Sequence, residues 1–351
     1  MSVRIPVLAA ILAVAIAACR STVTPNPHDL ASSSSSQNCR TVDHQSGVTE
    51  ICGQPQNIVA LGPFVLEPLL ALEVQAAAFA DHVTLHQGPY DNPAQQILYL
   101  GKHVTNQPVN LGTAGQPSIE ALLQLQPDLI LGTQFNNADE YETLSKIAPT
   151  ILLKWDEVET NLTTIAETVG YPEKAQQLLA EMDQRIVTSR DIFSSFVAEH
   201  PNVLLLSTDS QLTSIHIGNS AHGLCASLLT DLGLNLVSLK GVAKNQPGAP
   251  VSVSLEAITQ VNDEAEAIVL LGSSDHLELQ TTDNFENRQL IELKETWEQS
   301  AIAQSLNASK AGRVYFIPAY LCLGLPGPIG TELYLEKLQE QLLAPGSASK
   351  P

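Results

Sequence analysis

The stretch "PSIEALLQLQPDLILG" (residues 117–132) has a counterpart far along the chain, "VSLEAITQVNDEAEAIVLLG" (residues 253–272). Ser118, Glu120, Ala121 and Gln124 align with Ser254, Glu256, Ala257 and Gln260. Each copy opens with helical spacing behind a serine able to accept a hydrogen bond from the first helical turn. Each then enters a short apolar run that ends in Gly, the pattern of a buried strand. A helix-then-strand unit used twice predicts two α/β halves. The echo is short, and unrelated units obeying the same packing rules would also produce it.

Working outward from the first copy, "NIVAL" (57–61) reads as a buried strand closed by Gly62-Pro63, and "VLEPLLALEV" follows with helical spacing. "QAAAFAD" gives a strand, "HQGPYDNPAQ" breaks regular structure, and "ETLSKIA" and "TILLKW" complete a β-α alternation. Alternation of this kind argues for a mostly parallel sheet covered by helices. Then comes an unbroken helical pattern from Pro172 to the stop at Pro201, with apolar steps at Ala175, Leu178, Leu179, Met182, Ile186, Phe193, Phe196 and Val197. Such a helix is about 40 Å long, more than one sheet needs. After it the alternation restarts: "NVLLLS", "TSIHIG", "GLCASLLTDLG", "VSLEAITQV", "EAIVLLG", "WEQSAIAQSL", "GRVYFIP" and "GTELYLEKLQEQLL".

Composition agrees. The 351 residues fit about two domains, and 44% apolar content supplies two cores. The net charge of −20, from 37 acidic and 17 basic residues without a basic cluster, repels nucleic acid. The opening "MSVRIPVLAAILAVAIAAC" has the layout of a secretory signal and is shorter than a membrane span. Its "IAAC" resembles a lipoprotein lipobox, which implies cleavage before Cys19 and a lipid on that sulfur. The Ser/Pro-rich tract that follows reads as a flexible tether.

The expected organisation is therefore a signal over 1–18, a tether over 19–38 and an N-terminal lobe with a leading hairpin over 39–160. A linking helix over 161–200, a C-terminal lobe over 201–345 and a tail over 346–351 follow. In an exported protein the remaining cysteines can bridge. Cys39 and Cys52 flank two alternating runs centred on Gln45-Ser46-Gly47, so a hairpin sets them opposite each other. Spacing says nothing about whether Cys225 and Cys322 pair.

Enzyme signatures are weak. "GNSAHG" (218–223) falls one residue short of a nucleophile elbow, leaving Ser220 with His222 as the hydrolase alternative. His82, His86, His103 and His216 supply a direct metal-binding alternative, but their spacing matches no ligand pattern. Aromatic and cationic residues fall after strand ends at Tyr90, Trp155, His222, Lys244 and Tyr320, where open α/β sheets bind ligands.

The whole pattern resembles the periplasmic binding proteins of iron-siderophore and vitamin B12 ABC importers. The stretches that carry the likeness are "NIVALGPFVLEPLLALEV", "PSIEALLQLQPDLILG", the long helix and "TWEQSAIAQSLNASKAGRVYFIPAYL". The resemblance implies an α/β protein of two lobes with mostly parallel sheets, joined by one long helix. It implies a solute-binding monomer, not an enzyme, holding a ferric siderophore of the ferric dicitrate or hydroxamate type, with vitamin B12 or haem as alternatives. Iron is then cargo rather than cofactor. The partners implied are an ABC permease and, through the lipid, a membrane. The ligand set it suggests is Tyr90, Lys102, Trp155, His222, Lys244, Arg288 and Tyr320, the cations facing an anionic complex. The family docks one glutamate per lobe on permease arginines. Glu67 matches for the N-lobe; for the C-lobe the expected place holds Ser227, with Asp231 one turn later.

Overall fold

The computed structural model describes residues 39–82, 85–154, 157–219, 222–241, 251–273 and 285–343. The signal, Cys19, the tether, Trp155, Ser220, Lys244 and the tail lie outside them, as does the side chain of Arg288. Strands β1 (Cys39–His44) and β2 (Gly47–Cys52) form the expected hairpin, with Cys39 opposite Cys52 and the two bonded. The hairpin is tied down rather than free. Thr49 Oγ1 donates to the Thr150 carbonyl at 2.8 Å, and the Arg40 guanidinium donates to the Gly53 and Thr168 carbonyls.

The first α/β half runs β3 (Ile58–Leu61), α1 (Pro63–Ala71), β4 (Ala78–Asp81), α2 (Pro93–Gln96), β5 (Val109–Thr113) and β6 (Gln116–Pro117). It continues α3 (Ile119–Leu125), β7 (Leu129–Thr133), α4 (Gln134–Asn137), α5 (Tyr141–Leu144), β8 (Thr150–Leu153) and α6 (Val158–Val169). Its sheet has the order β6-β5-β4-β3-β7-β8, parallel except for β6. Strands β3, β4, β7 and β8 are buried along their whole length, which is why they read as unbroken apolar runs. Ser118 caps α3, accepting from the Ala121 amide at 3.3 Å. Gly132, which ends the first copy of the repeat, has a steric reason to be Gly. A Cβ there would fall 2.5 Å from Asn137 Oδ1. Asn137 needs that place to accept from the Thr133 amide and donate to the Ala114 carbonyl.

Helix α7 (Pro172–Glu199) links the halves. It begins at Pro172, where the helical pattern placed it, and the expected linking segment from 161 also takes in the end of α6, which closes in a left-handed turn at Gly170 (φ 86°). Residues 158–169 pack on the first half. The second half runs β9 (Asn202–Asp209), β10 (Ile215–Ile217), α8 (Gly223–Asp231), β11 (Asn235–Leu236), β12 (Val251–Val253) and α9 (Leu255–Ile258). It ends with β13 (Ala267–Ser273), α10 (Phe285–Gln299), α11 (Ala301–Ser305), α12 (Asn307–Lys310), β14 (Val314–Pro318) and α13 (Pro328–Leu343). The sheet order is β12-β10-β9-β13-β14, with β11 beside the start of β9; β10 and β12 are antiparallel. The expected single helix over "WEQSAIAQSL" is two, because the Ser300 hydroxyl caps α11, accepting from the Ala303 amide and interrupting the run.

The second copy of the repeat is thus α9, capped by Ser254 as α3 is by Ser118, leading to β13 as α3 leads to β7. In both sheets the chain builds outward from its first strand, then returns to that strand's other side. The switch points lie between β3 and β7 and between β9 and β13. Cys225 in α8 and Cys322 in the turn after β14 form a second, buried bridge. No helix among the described residues is long and apolar enough to cross a membrane.

Candidate ligand-binding site

Strand ends from the two sheets meet. Asp81, the last residue of β4, is buried, and its Oδ1 accepts from the Tyr320 hydroxyl at 3.3 Å and from the His82 amide at 2.7 Å. Tyr320 lies just past β14, in a π-helical turn over Tyr320–Gly324. Its ring packs on His82 (centroids 4.7 Å apart) and Tyr99 (5.5 Å). Burial, and then the Asp81 charge, hold the Tyr320 phenol well above its ordinary pKa, so it stays a donor. The carboxyl-terminal edges of the sheets therefore face each other across a cleft closed on the β4–β14 side, the place where open α/β sheets take ligands.

At the end of β8, Lys154 pairs with Glu157 at 2.5 Å. Phe135, two residues past β7, is 84% exposed. A cavity of about 880 Å³ extends between the start of α6 (Glu157, Glu159, Thr160) and α8 with Asn219. It takes walls from both halves and is of ligand size.

The sequence-derived site residues are dispersed. Tyr320 is at the edge contact, as its place after a strand suggested, but it is buried and committed to Asp81. Tyr90 is also buried, between Phe79 and His86, so it packs the core rather than lining an open wall. His222 is fully buried. Its Nδ1 accepts from the Asn219 amide at 3.5 Å, which leaves the ring proton on Nε2, 3.0 Å from Ser207 Oγ. Burial and then His216 push its pKa down to about 4, so it is a neutral core histidine. That tautomer also makes it a donor to Ser207, not a base for a hydroxyl.

Lys102 is exposed on the turn Gly101–His103. That turn is bonded through the His103 carbonyl to Gln75, which leads into β4, so Lys102 sits at the opposite end of the sheet from the strand termini. The alternative metal set is scattered: His86 bonds the Pro89 carbonyl and His82 sits on Asp81. Among the described residues the one convergent group of three His, Cys, Asp or Glu is Cys39, Glu50 and Cys52, whose sulfurs form the disulfide.

Glu67 is the largest departure. It is 0% exposed, with Oε1 accepting from the Ile329 amide at 2.6 Å and the Gly330 amide at 3.4 Å, in the first turn of α13. The other oxygen lies against Gly327, where a Cβ would fall 1.9 Å away. Burial outweighs these amides and pushes its pKa up to about 7. A carboxylate so placed ties the two halves together and offers nothing to an outside arginine. Asp231 is half-buried at the end of α8, its carbonyl accepting from Arg190, and burial raises its pKa. The acids that do stand exposed in matching places are Glu120 and Glu256, each in the first turn of the repeated helix.

Sequence reasoning passed over Phe135, Asp81 and the two repeat glutamates as site residues. The rule that selected Tyr90, an aromatic just after a strand, would also have selected Phe135.

A sheet pair with facing carboxyl edges and one connecting helix defines a solute-binding class, and comparison gives its family. Residues 58–321 match the family model of the periplasmic binding proteins, and the chain belongs to that family. A Bacillus subtilis (strain 168) protein, YhfQ, named as an ABC transporter substrate-binding lipoprotein, is 25% identical over 331 residues, covering 90% of this chain and 93% of its own. The Fe(3+) dicitrate-binding periplasmic protein FecB of Escherichia coli (strain K12) is 29% identical over 227 residues, 63% of this chain and 69% of its own. The crystal structure of Staphylococcus aureus SirA complexed with staphyloferrin B superposes with a TM-score of 0.69 at 20% identity, covering 87% of this chain and 98% of that one. That likeness is one of fold.

Proposed function

We propose that this chain captures a ferric siderophore, of the ferric citrate or hydroxamate type, between its lobes. It acts as a monomer held by a lipid on Cys19 and delivers the chelate to an ABC permease. The observations that carry the reading are the meeting of the two carboxyl edges at Asp81 and Tyr320 and a cavity with walls from both halves. The names of the relatives, ferric-citrate and siderophore binders among them, support the cargo. Trp155, Lys244 and Arg288 remain the proposed ligand contacts. Docking passes from the buried Glu67 to Glu120 and Glu256. Each is an exposed carboxylate early in a helix of one lobe, where an arginine fork can reach it. Helix α7 resists wide hinge closure, so loading shifts the lobes only slightly.

The test is intrinsic tryptophan fluorescence titrated with ferric citrate, ferric hydroxamates, haem and cobalamin. Saturable quenching by a ferric chelate is expected. Quenching by haem or cobalamin alone, or a stoichiometric divalent ion bound without a chelator, refutes the siderophore cargo while leaving the fold untouched.

A further inference from the structure

Strand β8 ends the N-lobe sheet, so one row of its backbone groups has no neighbouring strand. The Ile130 amide of β7 donates to the Pro149 carbonyl, and backbone groups alternate in direction along a strand. The Thr150 carbonyl and the Leu152 amide are therefore left facing outward. Uncovered groups of this kind are where a foreign strand pairs. Two side chains of the β1–β2 hairpin take both. Thr49 Oγ1 donates to the Thr150 carbonyl at 2.8 Å, and the Leu152 amide donates to His44 Nδ1 at 3.3 Å.

These contacts fix the state of His44. Its Nδ1 also accepts from the Ser46 amide at 3.4 Å, so two backbone donors converge on that nitrogen and it carries the lone pair. The ring proton is then on Nε2, 2.9 Å from Thr49 Oγ1 and 3.5 Å from the Tyr141 hydroxyl. Donation runs one way through the whole set: Leu152 amide to Nδ1, Nε2 to Thr49, Thr49 to the Thr150 carbonyl. A second ring proton would sit on Nδ1, facing two N–H donors and leaving both without an acceptor. Asp43, the next residue on β1, favours the cation, but burial outweighs it and holds the ring below its ordinary pKa. The other elements packed here bring little charge to the ring. Strand β8 has no titratable side chain, and α5 brings the Tyr141 phenol, with Glu142 paired to Lys146. Glu50 on β2 alternates to the face opposite Thr49, and α6 meets β1 at Arg40, which donates to the Thr168 carbonyl.

We infer that the hairpin is an acid-released clasp: protonation of His44 detaches it from β8 and uncovers the edge of the N-lobe sheet while both lobes stay folded. The Cys39–Cys52 bond keeps β1 and β2 paired with each other after release, so the hairpin leaves and returns as a unit. The inference is independent of the cargo and of docking.

Hydrogen exchange of the purified full chain, read by mass spectrometry at pH values from about 7.5 to 4.5 and corrected for the intrinsic rate at each, tests it. The His44 ring is titrated by NMR in the same protein. Protection of the segments 39–52 and 149–154 is expected to fall about tenfold toward acid, the effect of leaving buried donors unpaired, while β3 and β9 keep theirs. The His44 ring should titrate below the ordinary value of about 6.5. In His44→Gln, which cannot take a charge, the acid loss should disappear. In Thr49→Val the two segments should exchange faster at every pH, because the link between ring and carbonyl is gone. A ring that titrates at or above about 6.5, or an acid loss that persists in His44→Gln, overturns the inference. An equal loss in β3 and β9 also overturns it, because that is unfolding of the whole body. Should a variant fail to fold, the wild-type titration and the comparison of segments decide alone.

Discussion

Replacing Glu67 with Gln should change how stability depends on pH, by an amount the structure sets. In the unfolded chain this carboxyl ionises near 4.5; in the folded chain it holds its proton up to about 7, because burial outweighs the amides of Ile329, Gly330 and Gly327. Below pH 4.5 both states are protonated and the group costs nothing. As pH rises from 4.5 to 7 the unfolded state loses its proton first, so stability falls, and above 7 the loss is complete. At 1.36 kcal/mol per pH unit, the displacement amounts to about 3 kcal/mol. In Glu67→Gln the amide oxygen can still accept from Ile329 and Gly330, and the side chain cannot ionise. The gain of the variant over wild type should therefore climb by about 3 kcal/mol between pH 4.5 and 7 and stay level on either side. Urea unfolding at half-unit intervals from pH 4 to 8 reads this directly; in melting midpoint the gap should widen by roughly 5–10 °C. A constant offset would only measure the amide's poorer fit against Gly327. A gap that does not change across this range would refute the assignment of Glu67 as a buried, late-ionising group.

His222 should do the opposite over nearly the same range. Its folded pKa is pushed down to about 4, so its contribution is complete above 6.5 and lost as pH falls to 4. His222→Gln should abolish that acid loss, also about 3 kcal/mol, and wild-type stability should look deceptively flat between pH 4.5 and 6.5 because the two groups offset. A wild-type profile unaltered in shape by His222→Gln counts against the neutral core histidine. Cys225→Ala with Cys322→Ala opens a loop 97 residues long and should cost about 3–5 kcal/mol, read as a lower urea midpoint that reduced wild type reproduces. Equal midpoints for oxidised and reduced wild type would mean the bridge contributes no stability. Glu120→Arg or Glu256→Arg should abolish uptake of labelled chelate by cells while the Kd of the purified protein stays the same. Undiminished uptake removes these residues from docking.

What could be read in advance follows the range of the interactions. The hairpin, the capped repeat and α7 are set by residues a few positions apart, and each formed where its pattern placed it. One wrong end is local too: the Ser300 cap splits an element that periodicity alone had merged. The site was harder because it is made by distant segments. Nothing in "VLEPLL" says that "LPGPIG", over 250 residues later, folds onto Glu67 and takes it out of solvent. His222 reads as a polar residue after a strand until Ser207 and the backbone of Asn219 are seen to satisfy both ring nitrogens. The pairing of Cys225 with Cys322 likewise needed the packing of α8 on the turn after β14. Lys102 failed for a topological reason: it was chosen as one of the few cations the resemblance asks for, and charge alone does not say that its turn is bonded to Gln75 at the edge where β4 begins.

Helix α7 has one further implication. Twenty-eight residues at 1.5 Å each make a strut of about 42 Å, with only Ala175, Met182, Phe193 and Phe196 buried along it. A permease gripping both lobes would meet a caliper whose jaws are set in advance. The spacing of its two handholds would be almost the same whether the protein is loaded or empty. News of the cargo would then have to travel as a tilt or twist of one lobe about the strut, and an empty protein would compete for the same berth.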